Sequence, residues 1–258
     1  MSLKESLGTI YKKLVELVTP DVKIDMDNIP QHIGIIMDGN GRWAERRGLK
    51  RSDGHRAGAK TLEDITDYCS KIGVKFLTVY AFSTENWKRD KAEVDAIMEL
   101  IYEYMSNMEN LIGGKDCRIR VIGDRSRLSD KLNAKILEVE DYTKDRTGPT
   151  LNIALNYGGR DEILRAARLA AQAVSEGKIT ADDIDEKYMS SLMYTGDNPE
   201  VDLIIRPSGE KRLSNFLLWQ CAYSEFWFSN TCWPDFTPKH MRIAIAEYQK
   251  RNRRFGGV

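Results

Sequence analysis

The sequence predicts an α/β fold: one domain with a central, mostly parallel β-sheet surrounded by helices. Three observations predict it. Short apolar runs alternate with longer stretches of helical periodicity. Several of those runs are apolar at successive positions, as strands covered on both faces must be. No repeat, low-complexity tract or Pro/Gly/Ser-rich linker divides the 258 residues. With 41% apolar and 30% charged residues, the chain can bury a sizeable core.

The elements follow in order. "MSLKESLGTIYKKLVELV" places Leu3, Leu7, Ile10, Leu14 and Leu17 on one helical stripe. Residues 1–28 therefore read as an N-terminal helix and lead-in, followed by the main domain over 29–258. The helix carries both acids and bases, which favours packing on its own domain or a partner subunit over lying on a membrane. "HIGIIM" at 32–37, "KFLTVYAF" at 75–82, "RIRVIG" at 118–123, "LNIALN" at 151–156 and "DLIIR" at 202–206 are the strands. Between them, Leu62, Ile65, Cys69 and Ile72 form a helix stopped by Gly73. Val94, Ile97, Met98, Ile101, Met105 and Met108 form another, beginning near Asp90 and stopped by Gly113 and Gly114.

Charge and cysteine usage narrow the classes. Lys+Arg and Asp+Glu both number 39, so no global field points to nucleic acid and any anion site must come from local clustering. Cys69, Cys117, Cys221 and Cys232 have no CxxC spacing, and no secretory signal pattern is present. Reduced thiols in a cytoplasmic protein are expected. No run approaches the ~20 apolar residues of a membrane span, although peripheral contact at the inner membrane face stays open.

In open parallel sheets ligands gather at the carboxyl ends of strands, where Asp38, Ser83 and Arg206 fall. In "MDGNGRW", Gly39 and Gly41 let backbone N–H groups approach a phosphate, and Asn40 sits between them. Asp38 cannot hold a phosphate itself. Among basic residues it makes sense with a divalent cation between it and the anion, and oxygen ligands beside phosphate suggest Mg²⁺. Arg42 and Arg51 add bidentate donors, and His55 opens the helix over 62–72, whose N-terminus attracts anions. Arg46, Arg47 and Lys50 read as a solvated basic face. A calcium loop fails, because Arg42 and Leu49 occupy ligand positions. A phosphohydrolase with a nucleophilic aspartate remains a rival, although Asn40 stands where its second acid belongs.

"AFSTENWKRD" follows a strand with Ser83, Thr84, Glu85, Asn86, Trp87 and Arg89, a loop able to bind and cover a substrate; the alternative is helix capping with a packed tryptophan. In "IRPSGEKRLSNF", Arg206, Arg212 and Ser214 form a second anion set, with Glu210 orienting an arginine. Two anion sites imply two phosphorylated substrates. Glu225 lies in an apolar neighbourhood, which demands a metal or an arginine, or else is a surface acid at a helix end. "DDIDE" at 182–186 looks like an aspartate-rich metal motif, but Thr180 before it makes it a helix start.

Taken together, "HIGIIMDGNGRWA", "GHRAG", "FSTENWKR", "NYGGRDEI", "IRPSGEKRLSNFLLWQ", "YSEFWF" and "WPDF" resemble the cis-prenyltransferases across roughly residues 29–257, in that family's order. The resemblance implies a Mg²⁺-dependent homodimer that condenses isopentenyl diphosphate onto an allylic primer such as farnesyl diphosphate. The product would be a long cis-polyprenyl diphosphate, undecaprenyl diphosphate for a cell-wall lipid carrier. A short- or medium-chain synthase and a non-catalytic lipid-binding partner subunit are the alternatives. The resemblance makes Asp38 and Glu225 the metal-linked acids, and Gly39, Asn40, Gly41, Arg42, Arg51 and His55 the allylic diphosphate site with Trp43 beside it. Ser83, Thr84, Glu85, Trp87 and Arg89 match the substrate loop, and Asn86 the residue of proton removal. Arg206, Arg212, Leu213 and Ser214 match the isopentenyl diphosphate site. Pro207 stands where the family more often has threonine, removing an N–H and a hydroxyl. An amide is a poor base, so Asn86 is expected to orient a proton path. An apolar tunnel is expected between sheet and helices, with small Ala81 leaving room at a strand end.

Overall fold

The computed structural model describes residue 17 and residues 19–107, 116–196 and 198–251. The expected N-terminal helix, the helix stop at Gly113 and Gly114, and the "RNRRFGG" terminus lie almost entirely outside the described residues.

Six strands form one parallel sheet: β1 (His32–Ile36), β2 (Phe76–Ser83), β3 (Arg118–Ile122), β4 (Thr150–Tyr157), β5 (Leu203–Arg206) and β6 (Glu225–Phe228). Their order is β3-β4-β2-β1-β5-β6. Among the described residues, seven α-helices surround the sheet: α1 (Asn40–Glu45), α2 (Arg51–Ile72), α3 (Lys91–Ser106), α4 (Asp130–Thr143), α5 (Gly159–Ser175), α6 (Glu186–Leu192) and α7 (Pro238–Gln249). The five expected strands are all present and all parallel, and β6 is an addition. The chain leaves β1 for β2 on one side and returns through β4 to β5 on the other. The reversal of strand order around β1 makes its carboxyl end the place where a crevice opens.

Side-chain alternation divides the core. Ile33, Ile35, Leu77, Val79, Ile153 and Ile205 face one way, packed under Ile65 and Cys69 of α2, Ile97 and Met105 of α3, Ile136 of α4 and Ile245 of α7. Ile36, Tyr80, Ala154 and Ile204 face the other way, against Phe216, Leu217 and Cys221. Tyr80 stacks on Phe216 at 4.6 Å. This second face is not wholly apolar. A carbonyl can only accept, so His32 Nδ1–H donates to Pro199 O at 2.7 Å, leaving Nε2 to accept from Thr78 Oγ1 at 2.7 Å. Asn152 Nδ2 reaches the same hydroxyl at 3.1 Å. The four cysteines are buried and unbridged, and burial pushes the Cys69 thiol up to about 12.

Helix ends obey local chemistry. α2 stops at Gly73 (φ 90°), which takes the left-handed conformation a β-carbon resists. Asp90 caps α3 by accepting from Ala92 N at 2.9 Å. The acidic "DDIDE" stretch is what the helix-start reading requires: Asp183 accepts from Thr180 N at 2.7 Å, and Asp185 caps α6 by accepting from Tyr188 N at 2.7 Å.

Burial lowers His32 and His240 from the usual 6.5 to about 4. Both rings stay neutral in the folded protein down to that pH, while the unfolded chain takes up protons below about 6.5. Stability is therefore lost as pH falls from about 6.5 towards 4, by on the order of 3 kcal/mol for His32. Thermal melting across this window should show a falling Tm, with a shallower slope in His32→Gln; equal slopes would contradict the assignment.

Candidate active site

A cavity of about 820 Å³ opens at the carboxyl ends of β1, β2 and β5. Its polar mouth includes Asp38, Asn40, Arg42, His55, Ser83, Glu85, Asn86, Arg89, Arg206, Glu210, Arg212 and Ser214. Its deeper wall is apolar: Leu62, Ala81, Ile97, Leu100, Ile101 and Met105. A second cavity of about 440 Å³ shares Leu62 and Tyr104 with the first. The expected tunnel thus lies between the sheet and helices α2 and α3.

The centre of the mouth is an ion pair between neighbouring strand ends. Arg206 Nη2 donates to Asp38 Oδ2 at 2.9 Å, and Arg42 Nη2 approaches Asp38 Oδ1 at 3.4 Å. Arg206 is 4% exposed, and a guanidinium so buried requires a carboxylate. It also donates to Ser214 Oγ at 2.8 Å and to the Arg212 carbonyl. Glu210 accepts from Arg212 and lies 3.8 Å from Arg42, so one acid tethers an arginine of each set. Arg42 also donates to Ser208 O at 2.8 Å.

Gly39 holds the turn into α1 at φ 96°, and a β-carbon there would sit 2.6 Å from Ser208 Oγ. That hydroxyl and Asn40 Oδ1 are buried without a hydrogen-bond partner among the described residues. The turn presses against α2, since a β-carbon on Gly54 would lie 2.1 Å from Asn40 O. This close approach is what the glycines of "GHRAG" permit.

Several expected residues stand elsewhere than expected. α2 begins at Arg51, so His55 is in its second turn and does not open it. His55 lines the cavity and is lowered from its usual value, first by burial and then by the Arg89 charge. Arg51 pairs with Glu93 at 2.7 Å, as does Arg89 at 2.9 Å. Glu93 escaped the sequence reading, although its place four residues after Arg89 on a helix was a readable signal. Trp43 is buried, donates its indole N–H to Asp235 Oδ1 at 2.8 Å, and is not in the cavity wall. Arg47 lies 4.3 Å over its ring and pairs with Asp235, so it is not a merely solvated charge. Trp87 is the packed alternative: it sits edge-on to Phe82, bonds Asn156 Oδ1 at 2.7 Å and lies under Arg127. Leu213 packs on the second core face.

The segment after β2 is a 3₁₀ turn, Thr84–Lys88. Asn86 Oδ1 accepts from Ser83 N at 3.0 Å. With that oxygen engaged, the amide presents its nitrogen as a donor, which suits orientation and not proton abstraction. Thr84 Oγ1 bonds Asp161 at 3.0 Å.

Glu225 stands apart from Asp38 within the chain. It opens β6, a strand the sequence reading missed, and pairs in register with Leu203, whereas Arg206 pairs with Phe228. Three residues of strand, roughly 10 Å, separate these levels. Its carboxylate accepts from Arg251 at 2.5 Å, so an arginine compensates it. Asp38 and Glu225 are not brought together within one chain.

Two sets of anion donors at the mouth of a long apolar cavity define a protein that handles phosphorylated lipids. The Prenyltransf model, that of undecaprenyl diphosphate synthases, matches residues 36–256. An isoprenyl transferase of Clostridium perfringens is 54% identical over 90% of this chain and 92% of its own. A ditrans,polycis-undecaprenyl-diphosphate synthase ((2E,6E)-farnesyl-diphosphate specific) of Pasteurella multocida is 46% identical over 92% and 99%. The crystal structure of lavandulyl diphosphate synthase from Lavandula x intermedia in complex with dimethylallyl diphosphate superposes with a TM-score of 0.86 at 37% identity, covering 89% of this chain and 99% of that one. The chain belongs to the undecaprenyl diphosphate synthase family of prenyltransferases.

Gly54→Ala forces α2 and the Gly39 turn apart. It should cost about 1–3 kcal/mol, lowering Tm by roughly 2–4 °C per kcal/mol in calorimetry. An unchanged Tm would contradict the close approach.

Proposed function

We propose that the protein is a cis-prenyltransferase that adds isopentenyl diphosphate repeatedly to an allylic diphosphate primer, farnesyl diphosphate, and releases a long polyprenyl diphosphate, undecaprenyl diphosphate. One observation carries this reading. The Asp38–Arg206 pair joins two sets of anion donors at the mouth of an apolar cavity. A single phosphate pocket would serve the rival phosphohydrolase, but it leaves the Arg212 and Ser214 set and the apolar wall without a task.

In this reading the Gly39–Gly41 turn and Arg42 hold the allylic diphosphate, while Arg206, Arg212 and Ser214 hold isopentenyl diphosphate. The allylic C–O bond breaks and diphosphate leaves with the bonding electrons. The double bond of isopentenyl diphosphate supplies the pair for the new C–C bond, and a proton departs from the adjacent carbon. Fixed guanidinium groups favour the charge that develops on the leaving group, and two tethered headgroups bring the reacting carbons together. Asn86 orients the departing proton towards a diphosphate oxygen. Leu62, Ile97, Ile101 and Met105 receive the growing tail.

Among the described residues no group of three or more His, Cys, Asp or Glu side chains is arranged to hold a metal. Magnesium accepts one carboxylate completed by phosphate and water oxygens, and Asp38 offers that carboxylate at the cavity mouth, between Arg42 and Arg206. Asp38 would hold the ion, which supplies charge neutralisation to the diphosphate. No helix among the described residues is long and apolar enough to cross a membrane, and an apolar product favours release at a membrane surface. The family resemblance favours a homodimer, which light scattering tests.

Purified protein given Mg²⁺, farnesyl diphosphate and labelled isopentenyl diphosphate should make chain-extended products. Phosphate release without extension would favour the hydrolase. Asp38→Asn keeps the shape beside buried Arg206 and should lower condensation by at least 100-fold, the scale of losing one electrostatic stabiliser; near-normal turnover would remove Asp38 from the chemistry. Arg212→Ala should raise KM for isopentenyl diphosphate about tenfold with little change for farnesyl diphosphate, whereas equal effects would contradict the division of the sites. Tyr104, between the two cavities, donates to Glu63 at 3.0 Å. Tyr104→Ala joins the cavities and should lengthen the products resolved by chromatography; an unchanged distribution would show that the tail stops short of this level.

A further inference from the structure

Three segments meet beside the second anion set, and one residue touches all of them. Asn215 follows Ser214, whose hydroxyl accepts from Arg206. Its Nδ2 donates to Glu85 Oε1 at 2.9 Å, in the segment that carries Asn86. Its Oδ1 accepts from Arg160 N at 2.8 Å, and its carbonyl accepts from Gly159 N at 2.7 Å, both at the start of α5. The junction leaves no spare room. A β-carbon on Gly158 would lie 2.8 Å from Asn215 Nδ2 and 2.7 Å from Thr84 Oγ1.

The backbone is strained to make this contact. Ser214 and Asn215 have φ of 50° and 64°, and Ser208 and Leu217 on either side have 82° and 45°. Non-glycine residues held at positive φ cost energy and persist where the surroundings over-determine them. Asparagine tolerates this conformation, and its amide both donates and accepts. Here it donates to a carboxylate and accepts from a helix N–H at once.

We infer that Asn215 is a positioning residue that fastens the segment over residues 83–89 to the Arg206–Arg212–Ser214 pocket, so that the loop carrying Asn86 and the second diphosphate site assemble as one unit. The inference rests on the proposed condensation. It extends that reading by making occupancy of the second pocket and closure of the loop interdependent: a diphosphate that fixes Ser214 also fixes Glu85 through its neighbour. The hydrogen bonds of Asn215 do not themselves reach the Gly39 turn of the allylic side.

Asn215→Asp isolates the link. Aspartate tolerates left-handed backbone and still accepts from Arg160 N, but it cannot donate and sets a carboxylate against Glu85. In the full-length protein, kcat should fall on the order of tenfold and KM for isopentenyl diphosphate should rise, with KM for farnesyl diphosphate within twofold. Amide hydrogen exchange over residues 83–89 should quicken without any substrate. In the double variant Asn215→Asp with Glu85→Gln, the new amide donates to the carboxylate in the reverse direction, and the protection over residues 83–89 should recover.

Unchanged exchange over 83–89, turnover within twofold of wild type, or no recovery in the double variant would each overturn the proposal. A merely structural role would lower Tm without splitting the two KM values. Hydrogen exchange reads the link independently of chemistry, so inactivity of the wild-type protein would count against the proposed condensation and not against the fastening.

Discussion

The site depends on one buried charge. Arg206 ends β5 with its guanidinium almost wholly removed from water, and Asp38, just past the neighbouring β1, answers it at 2.9 Å. Breaking such a pair by removing one partner costs about 3–5 kcal/mol, because the other charge is left uncompensated. The pair exists because β1 and β5 are parallel neighbours. That adjacency in turn follows from the reversal of strand order around β1. Everything else at the mouth is arranged about these two side chains: the Gly39 turn leads out of one strand, and the segment through Ser208, Arg212 and Ser214 leads out of the other.

The remaining cations are held by acids rather than left to search for a ligand. Glu210 ties Arg212 and approaches Arg42, and Glu93 ties Arg51 and Arg89. Each tether is mostly surface chemistry and contributes little to stability. In the proposed condensation its value lies in preorganisation: donors fixed in place need no rearrangement when negative charge grows on a leaving group. The same logic explains the strained backbone from Ser208 to Leu217, which folds a short stretch tightly enough to offer a carbonyl, a hydroxyl and an amide to three different neighbours.

The sheet was legible because its strands are apolar at consecutive positions, and the two anion sets because charged and small residues cluster after those strands. β6 was not, since "EFWF" begins with an acid and follows β5 only after a long irregular stretch; nothing local showed that Glu225 opens a strand and pairs with Arg251. The packing of Trp43 and Trp87 was hidden for a related reason. An aromatic beside an anion motif suggests a ligand wall, but indole N–H groups seek buried acceptors, and Asp235 and Asn156, distant in sequence, supply them. Glu162 was invisible altogether. In "GGRDEI" it looks like an ordinary first-turn acid, yet it is buried and its pKa raised by that burial, held by Tyr157 and Gln220. Long-range partners of this kind leave no local pattern.

The central claim is that Asp38 and Arg206 stand between two diphosphate pockets that share one apolar cavity. A crystal structure of the protein with Mg²⁺, isopentenyl diphosphate and an allylic diphosphate analogue whose leaving bond cannot break tests it most directly. It should contain two diphosphates in one chain, one over the turn from Gly39 to Arg42 and one on Arg206, Arg212 and Ser214, with the allylic tail running past Leu62 and Ile101. A single diphosphate spanning both sets of arginines, or a tail lying outside the cavity, would contradict it.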